Sequence, residues 1–161
     1  MKKREADDKI KILFICLGNI CRSPAAEGIM KYLVTQKGVE SKFEIDSAGL
    51  LNYHEGEPPD GRICNQAFLR GYRLTSLSRP INSRDYFYYD LIIGMDNNNI
   101  QLLKQRAPDT VSQQKIRRMT DYCRKYTHDH VPDPYYGGIA GFELVLDLLE
   151  DACEGLLEEL T

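Results

Sequence analysis

A chain of 161 residues with 42% hydrophobic and 28% charged side chains has the balance of a folded, water-soluble domain with a sizeable core. Its net charge of −3 gives no electrostatic case for nucleic-acid binding, and no apolar run reaches the ~18–20 residues that a membrane span needs. Five cysteines, an odd count without framework spacing, read as reduced thiols and predict a cytoplasmic protein.

The first nine residues are charged, lack an apolar signal core and read as a disordered lead-in to one domain over 10–161. Residues 10–16 form an apolar, β-branched run that predicts a buried strand. A tight loop over 17–22 follows, then a helix from about 24 to 37, with Ala26, Ile29, Met30 and Leu33 at helical spacing. Ser23 reads as its N-cap and Pro24 as its first residue. Phe43 to Ser47 alternates as a second strand, and 49–59 carries loop chemistry. Asp60 caps a helix over 60–70, with Ile63, Ala67 and Cys64 inward. A helical turn is expected over 84–89, a third strand over 90–95 and a helix over 97–106 capped by Asp96. Residues 115–119 predict a fourth, charged edge strand, 120–139 a long polar and aromatic loop, and 140–160 a last helix. Strands alternating with helices predict an α/β fold: three layers, with a parallel sheet of about four strands, helices on both faces and a phosphate-binding loop after the first strand. Ligands bind such sheets beyond the strand C-termini, where Cys16, Ser47 and Met95 all fall.

The chemistry concentrates in Cys16-Leu17-Gly18-Asn19-Ile20-Cys21-Arg22-Ser23-Pro24. A strand, a tight loop and a helix start make an anion cradle, because loop amides point inward and the helix dipole adds positive charge. Gly18 and Asn19 tolerate the positive φ that a cradle needs. Arg22 supplies a planar fork matching phosphate oxygens, and inward amides beside a guanidinium favour the thiolate of a cysteine at Cys16. A thiolate facing a held phosphate is a nucleophile aimed at phosphorus. Ester hydrolysis by that route also needs a proton donor for the leaving oxygen. Asp133, between two prolines, is the strongest candidate, although the residues alone leave a plain turn aspartate open. Asp129 is a nearby alternative. His128 and His130 beside it lack matching ligands elsewhere, so neither a metal nor any other cofactor is expected. Tyr53, Tyr135 and Tyr136 could wall a cleft for an aromatic ring, or could cap the core edge.

These residues resemble the signature of the low-molecular-weight protein tyrosine phosphatases. The resemblance continues through Asp46-Ser47-Ala48-Gly49, Gly56-Glu57-Pro58-Pro59-Asp60, Gly94-Met95-Asp96 and Asp133-Pro134-Tyr135-Tyr136-Gly137, spanning roughly 10–160. It implies hydrolysis of phosphotyrosine and small aryl phosphates through a phosphocysteine at Cys16. Arg22 and the loop from Leu17 through Ile20 to Cys21 would bind phosphate, and Asp133 would serve as general acid and base. It also implies that Asn19 and Ser47 hold the loop, that Ser23 supports the thiolate and that Tyr53 and Tyr135 line the entrance, with Leu50, Leu51, Asn52 and His54 tuning substrate choice. Several relatives carry a histidine in the supporting network where this chain has Ser76, so support is expected from another group or a water. Cys21, five residues after the nucleophile, either packs under the loop or resolves an oxidised Cys16, and the family's loop carries the same cysteine pair. The partners implied are phosphotyrosine proteins, acted on by a monomer with no nucleic-acid or membrane partner. The rivals are a thiol-dependent arsenate reductase, which would need two further cysteines on a mobile segment, and a phosphoprotein-binding module.

Overall fold

In the computed structural model, which describes residues 8–135 and 138–161, four parallel strands form one sheet. They are β1 (Ile10–Cys16), β2 (Phe43–Gly49), β3 (Leu91–Gly94) and β4 (Ile116–Arg118), in the spatial order β2-β1-β3-β4. Residues 1–7 of the expected lead-in and Tyr136 of the expected cleft wall lie outside the described residues.

Strand β1 is central, so both of its faces are covered. Ile12, Phe14 and Cys16 enter one core with helices α1 (Arg22–Gln36), α2 (Gly61–Leu69) and α6 (Ile139–Leu160). Leu13 and Ile15 enter a second core with Tyr86 of α3 (Ser83–Tyr88) and Leu103 of α4 (Asn97–Arg106). A strand buried on both faces reads as a continuous apolar run rather than an alternating one, as β1 does. Helix α6 buries Phe142, Val145, Leu148, Leu149, Ala152 and Leu156, the face expected from helical spacing. Gly155 lets α6 approach Met119–Tyr122, a 3-10 turn. A Cβ there would stand 2.0 Å from the Tyr122 carbonyl oxygen.

Besides one-residue shifts at the ends of β3 and β4 and the 3-10 turn at Met119–Tyr122, three elements differ from expectation. Strand β2 runs on to Gly49 because its last residues stay in register with Ile15 and Cys16. A short helix α5 (Thr110–Gln113), capped by Asp109, occupies a stretch too brief to show helical periodicity. Helix α1 begins at Arg22, with Cys21 at the N-cap, because the Ser23 hydroxyl is engaged elsewhere.

The order 2-1-3-4 places β1 and β3 where consecutive connections leave in opposite directions. A crevice opens beyond the strand ends at such a point. The C-terminus of β1 is Cys16, and Asp96 caps α4 just after β3.

Candidate active site

Cys16 sits at the end of β1, 3% exposed, with its Sγ 3.0 Å from the Ser23 hydroxyl. The chain then turns sharply enough to put Asn19 at φ +58°, a left-handed conformation that asparagine tolerates better than most side chains. Three bonds hold Asn19 there. Its amide nitrogen donates to Ser23 Oγ at 2.8 Å and Ser47 Oγ at 3.0 Å, and its amide oxygen accepts from the Arg79 backbone at 3.1 Å. Ser23 is therefore a loop support rather than a helix cap, which corrects the sequence reading. Gly18 does not use positive φ. It is needed for space, since a Cβ would come within 3.2 Å of the His54 ring. Gly49 serves in the same way, because a Cβ there would meet Gly18 and Asn19 at 3.1 Å.

Arg22 is 2% exposed. Its Nη1 donates to Asp96 Oδ2 at 2.6 Å and to the Val131 carbonyl at 3.0 Å, and its Nη2 lies 3.6 Å from Asp133 Oδ2. Burial acts against its charge, but Cys16 and the paired Asp96 outweigh burial and raise its pKa above the ordinary arginine range. Val131 is buried and donates its amide to the Met95 carbonyl at 2.8 Å, which ties the polar loop to the end of β3. Two residues on, Asp133 is exposed and accepts the Tyr135 amide at 3.0 Å.

Cys16, Arg22 and Asp133 line one cleft of about 290 Å³. Leu17, Gly18, Ile20 and Cys21 form the rest of its floor, and Leu51, Tyr53, His54 and Tyr135 form its rim. Asn19, Ser23 and Ser47 lie beneath, with the Asn19 amide donating to both hydroxyls. Leu50, expected at the rim, is instead 4% exposed in the core under β2, and Asn52 is exposed without lining the cleft. Asp129 does not line it either, and its carboxylate pairs with His130 Nδ1 at 2.7 Å. Among the described residues no three His, Cys, Asp or Glu side chains are gathered to hold a metal ion.

The family model described as low molecular weight phosphotyrosine protein phosphatase matches residues 11–161. The chain belongs to this family. A solved protein tyrosine phosphatase from Entamoeba histolytica superposes with a TM-score of 0.92 at 47% identity, covering 94% of this chain and 97% of that one. The low molecular weight protein-tyrosine-phosphatase YfkJ of Bacillus subtilis is 40% identical over 154 residues, 94% of this chain and 96% of its own. A structure described as a Drosophila arginine phosphatase matches with a TM-score of 0.88 at 31% identity, over 94% of this chain and 98% of that one.

This phosphatase supports its loop with groups that the sequence did not single out. The Ser78 hydroxyl donates to the Gly18 carbonyl at 3.0 Å, so Ser78 and the Arg79 amide brace the loop near the position of Ser76. The buried Glu27 accepts the Ser47 hydroxyl at 2.6 Å and Lys31 Nζ at 2.6 Å, extending the network into α1. Asp96 appeared in the sequence only as a helix cap. It is also the ion-pair partner of Arg22, from 74 residues away. A local pattern carries no signal for a partner that distant.

The remaining cysteines separate by burial. All five are free thiols. Burial pushes Cys153 well above the ordinary thiol range, and burial with the Asp151 carboxylate pushes Cys123 up to about 12. Neither lines the cleft. Cys21 does, and burial followed by the Asp60 carboxylate raises its pKa strongly.

Proposed function

We propose that this phosphatase hydrolyses phosphotyrosine through a phosphocysteine at Cys16, with Asp133 as general acid and base. The observation that carries this reading is the convergence of Cys16, Arg22 and Asp133 on one cleft, with Arg22 Nη2 3.6 Å from Asp133 Oδ2. Nη1 of Arg22 is committed to Asp96 and Val131, so its Nε and Nη2 edge is presented to a phosphate.

The Cys16 thiolate attacks phosphorus in line with the ester oxygen. Arg22 and the loop amides stabilise the equatorial oxygens as the S–P bond forms and the P–O bond breaks. Protonated Asp133 gives its proton to the departing tyrosine oxygen. The resulting carboxylate then takes a proton from water as that water attacks the phosphocysteine. Inorganic phosphate leaves, and the sulfur recovers its electron pair as a thiolate, stabilised by the Ser23 hydroxyl at 3.0 Å. Tyr53 and Tyr135 provide the apolar wall for the phenyl ring. No metal is needed, since Arg22 and the amides supply the positive charge, and a monomer contains every group named.

Cys21 is assigned the resolving role. Peroxide oxidises the Cys16 thiolate to a sulfenic acid, and the Cys21 thiol condenses with it, forming the disulfide and releasing water. An arsenate reductase cascade is disfavoured because Cys123 and Cys153 lie away from the cleft, with thiols raised by burial. A pure binding module would not need an acid beside the nucleophile.

The test is Cys16→Ser, assayed with a chelator present against a phosphotyrosine peptide and a phosphoarginine peptide. The wild type is expected to turn over the phosphotyrosine peptide preferentially and to keep that activity with the chelator. The variant is expected to lose turnover while still binding vanadate. Residual turnover near wild type would overturn the mechanism, and a preference for phosphoarginine would overturn the substrate assignment.

A further inference from the structure

Arg62 lies outside the cleft floor, near the start of α2, yet it touches α6 and the residue that follows the proposed acid by two positions. Its guanidinium binds Asp60 with two bonds, Nε to Oδ1 at 3.0 Å and Nη2 to Oδ2 at 2.9 Å. Asp60 in turn donates its amide to the Ile20 carbonyl of the phosphate loop at 2.8 Å. The same guanidinium lies 5.3 Å from the centroid of the Tyr135 ring and 4.9 Å from that of Phe142. Both distances fall within cation–π range. Phe142 is 1% exposed in the first turns of α6 and is fixed by the core. Tyr135 is the residue whose amide donates to the Asp133 carboxylate at 3.0 Å.

These contacts form a relay from the phosphate loop, through Asp60 and Arg62, to the Tyr135 ring and on to Asp133. We propose that Arg62 is a positioning residue for the proton-transfer step, clamping the Asp133–Tyr135 segment against the phosphate loop and α6. The proposal rests on Asp133 acting as the general acid. Asp133 itself is exposed and comes from a long loop, so its placement depends on anchors on either side. Val131 provides the anchor before it, through Met95 and Arg22. Arg62 provides one after it, beside the buried Pro134. The Arg62 side chain is half exposed, so removing it cuts the clamp without opening a core cavity.

The experiment compares Arg62→Ala in the wild-type and Asp133→Ala backgrounds, on phenyl phosphate and on 4-nitrophenyl phosphate. With Asp133 intact, Arg62→Ala is expected to lower kcat/KM on phenyl phosphate on the order of ten-fold, because a misplaced catalytic group loses rate steeply. The loss on 4-nitrophenyl phosphate, whose leaving group needs less protonation, is expected to be smaller, with KM little changed on either. In the Asp133→Ala background the same substitution is expected to have almost no effect, since residues acting through one group are not additive. Arg62→Lys keeps a cation beside the ring but not the fork onto Asp60, and is expected to fall between. Equal loss from Arg62→Ala in both backgrounds would mean general structural damage and would overturn the proposal, as would no loss with Asp133 intact. If Asp133→Ala itself lost the same factor in kcat/KM, which reports transfer to Cys16 and not the later hydrolysis, on both substrates, the general-acid reading would fail first and take this proposal with it.

Discussion

Asn19 pays for its left-handed backbone, on the order of 1 kcal/mol for a side chain in that region, with the bonds it makes to Ser23, Ser47 and Arg79. Those bonds keep the loop curled, with Cys16 and Cys21 lining the same cleft. Burial, and after it the Asp60 carboxylate, raise the pKa of Cys21 and so favour its thiol form. A protonated thiol condenses slowly with a sulfenic acid, so the resolving step should quicken as pH rises. After peroxide exposure, wild type is expected to regain most of its activity with a thiol reductant, whereas Cys21→Ser stays inactive. Recovered activity measures this, with mass spectrometry for the Cys16–Cys21 linkage. Full recovery of the variant would reduce Cys21 to a packing residue. At this scale Cys16, Cys21 and Arg22 were legible because their spacing lies within one loop, whereas Asp133 and Tyr53 stood out chiefly through the family resemblance. Glu27, Ser78 and Asp96 were not legible in these roles, since each acts on a partner brought near only by the fold.

The first part of the long segment between β4 and α6 is anchored by a buried carboxylate. Asp151 of α6 accepts the backbone amides of Arg124, Lys125 and Tyr126 at 2.9–3.2 Å. Burial alone would push this carboxyl up, but the three amides hold it below the ordinary carboxylate range. A group with a depressed folded pKa stabilises the fold above its unfolded value of about 3.9, and that stability is lost as pH falls through the folded value. Asp151→Asn is expected to flatten the acid side of the stability profile below about pH 4. It should also cost about 1–3 kcal/mol at neutral pH, as bonds to a charged acceptor become bonds to a neutral one. Urea melts at several pH values check this, and an unchanged acid limb would contradict it. The elements themselves were largely legible, since strand runs, helical spacing and the Asp60 and Asp96 caps are local signals. The start of α1 was not. Ser23 has the chemistry of a cap, and only the three-dimensional loop shows that its hydroxyl faces Cys16 and Asn19.

Across the whole molecule, the parallel order β2-β1-β3-β4 brings the cleft together. Strand β1 delivers Cys16 and the end of β3 the partner of Arg22, while the segment beyond β4 returns to the cleft with Asp133. Among the described residues no helix is long and apolar enough to cross a membrane. Alternating strands and helices made the sheet and its layers legible, but the strand order comes from packing that no local pattern records. The central claim is that phosphate passes through Cys16, and rapid acid quenching during turnover of a phosphotyrosine peptide tests it most directly. Asp133→Ala is the protein to use with an activated aryl phosphate as well, since slowed hydrolysis of the intermediate should let it accumulate. Mass spectrometry of the digested enzyme is expected to find one phosphoryl group on the peptide containing Cys16, absent in Cys16→Ser. Phosphate on another residue, or undiminished turnover in Cys16→Ser, would contradict the account.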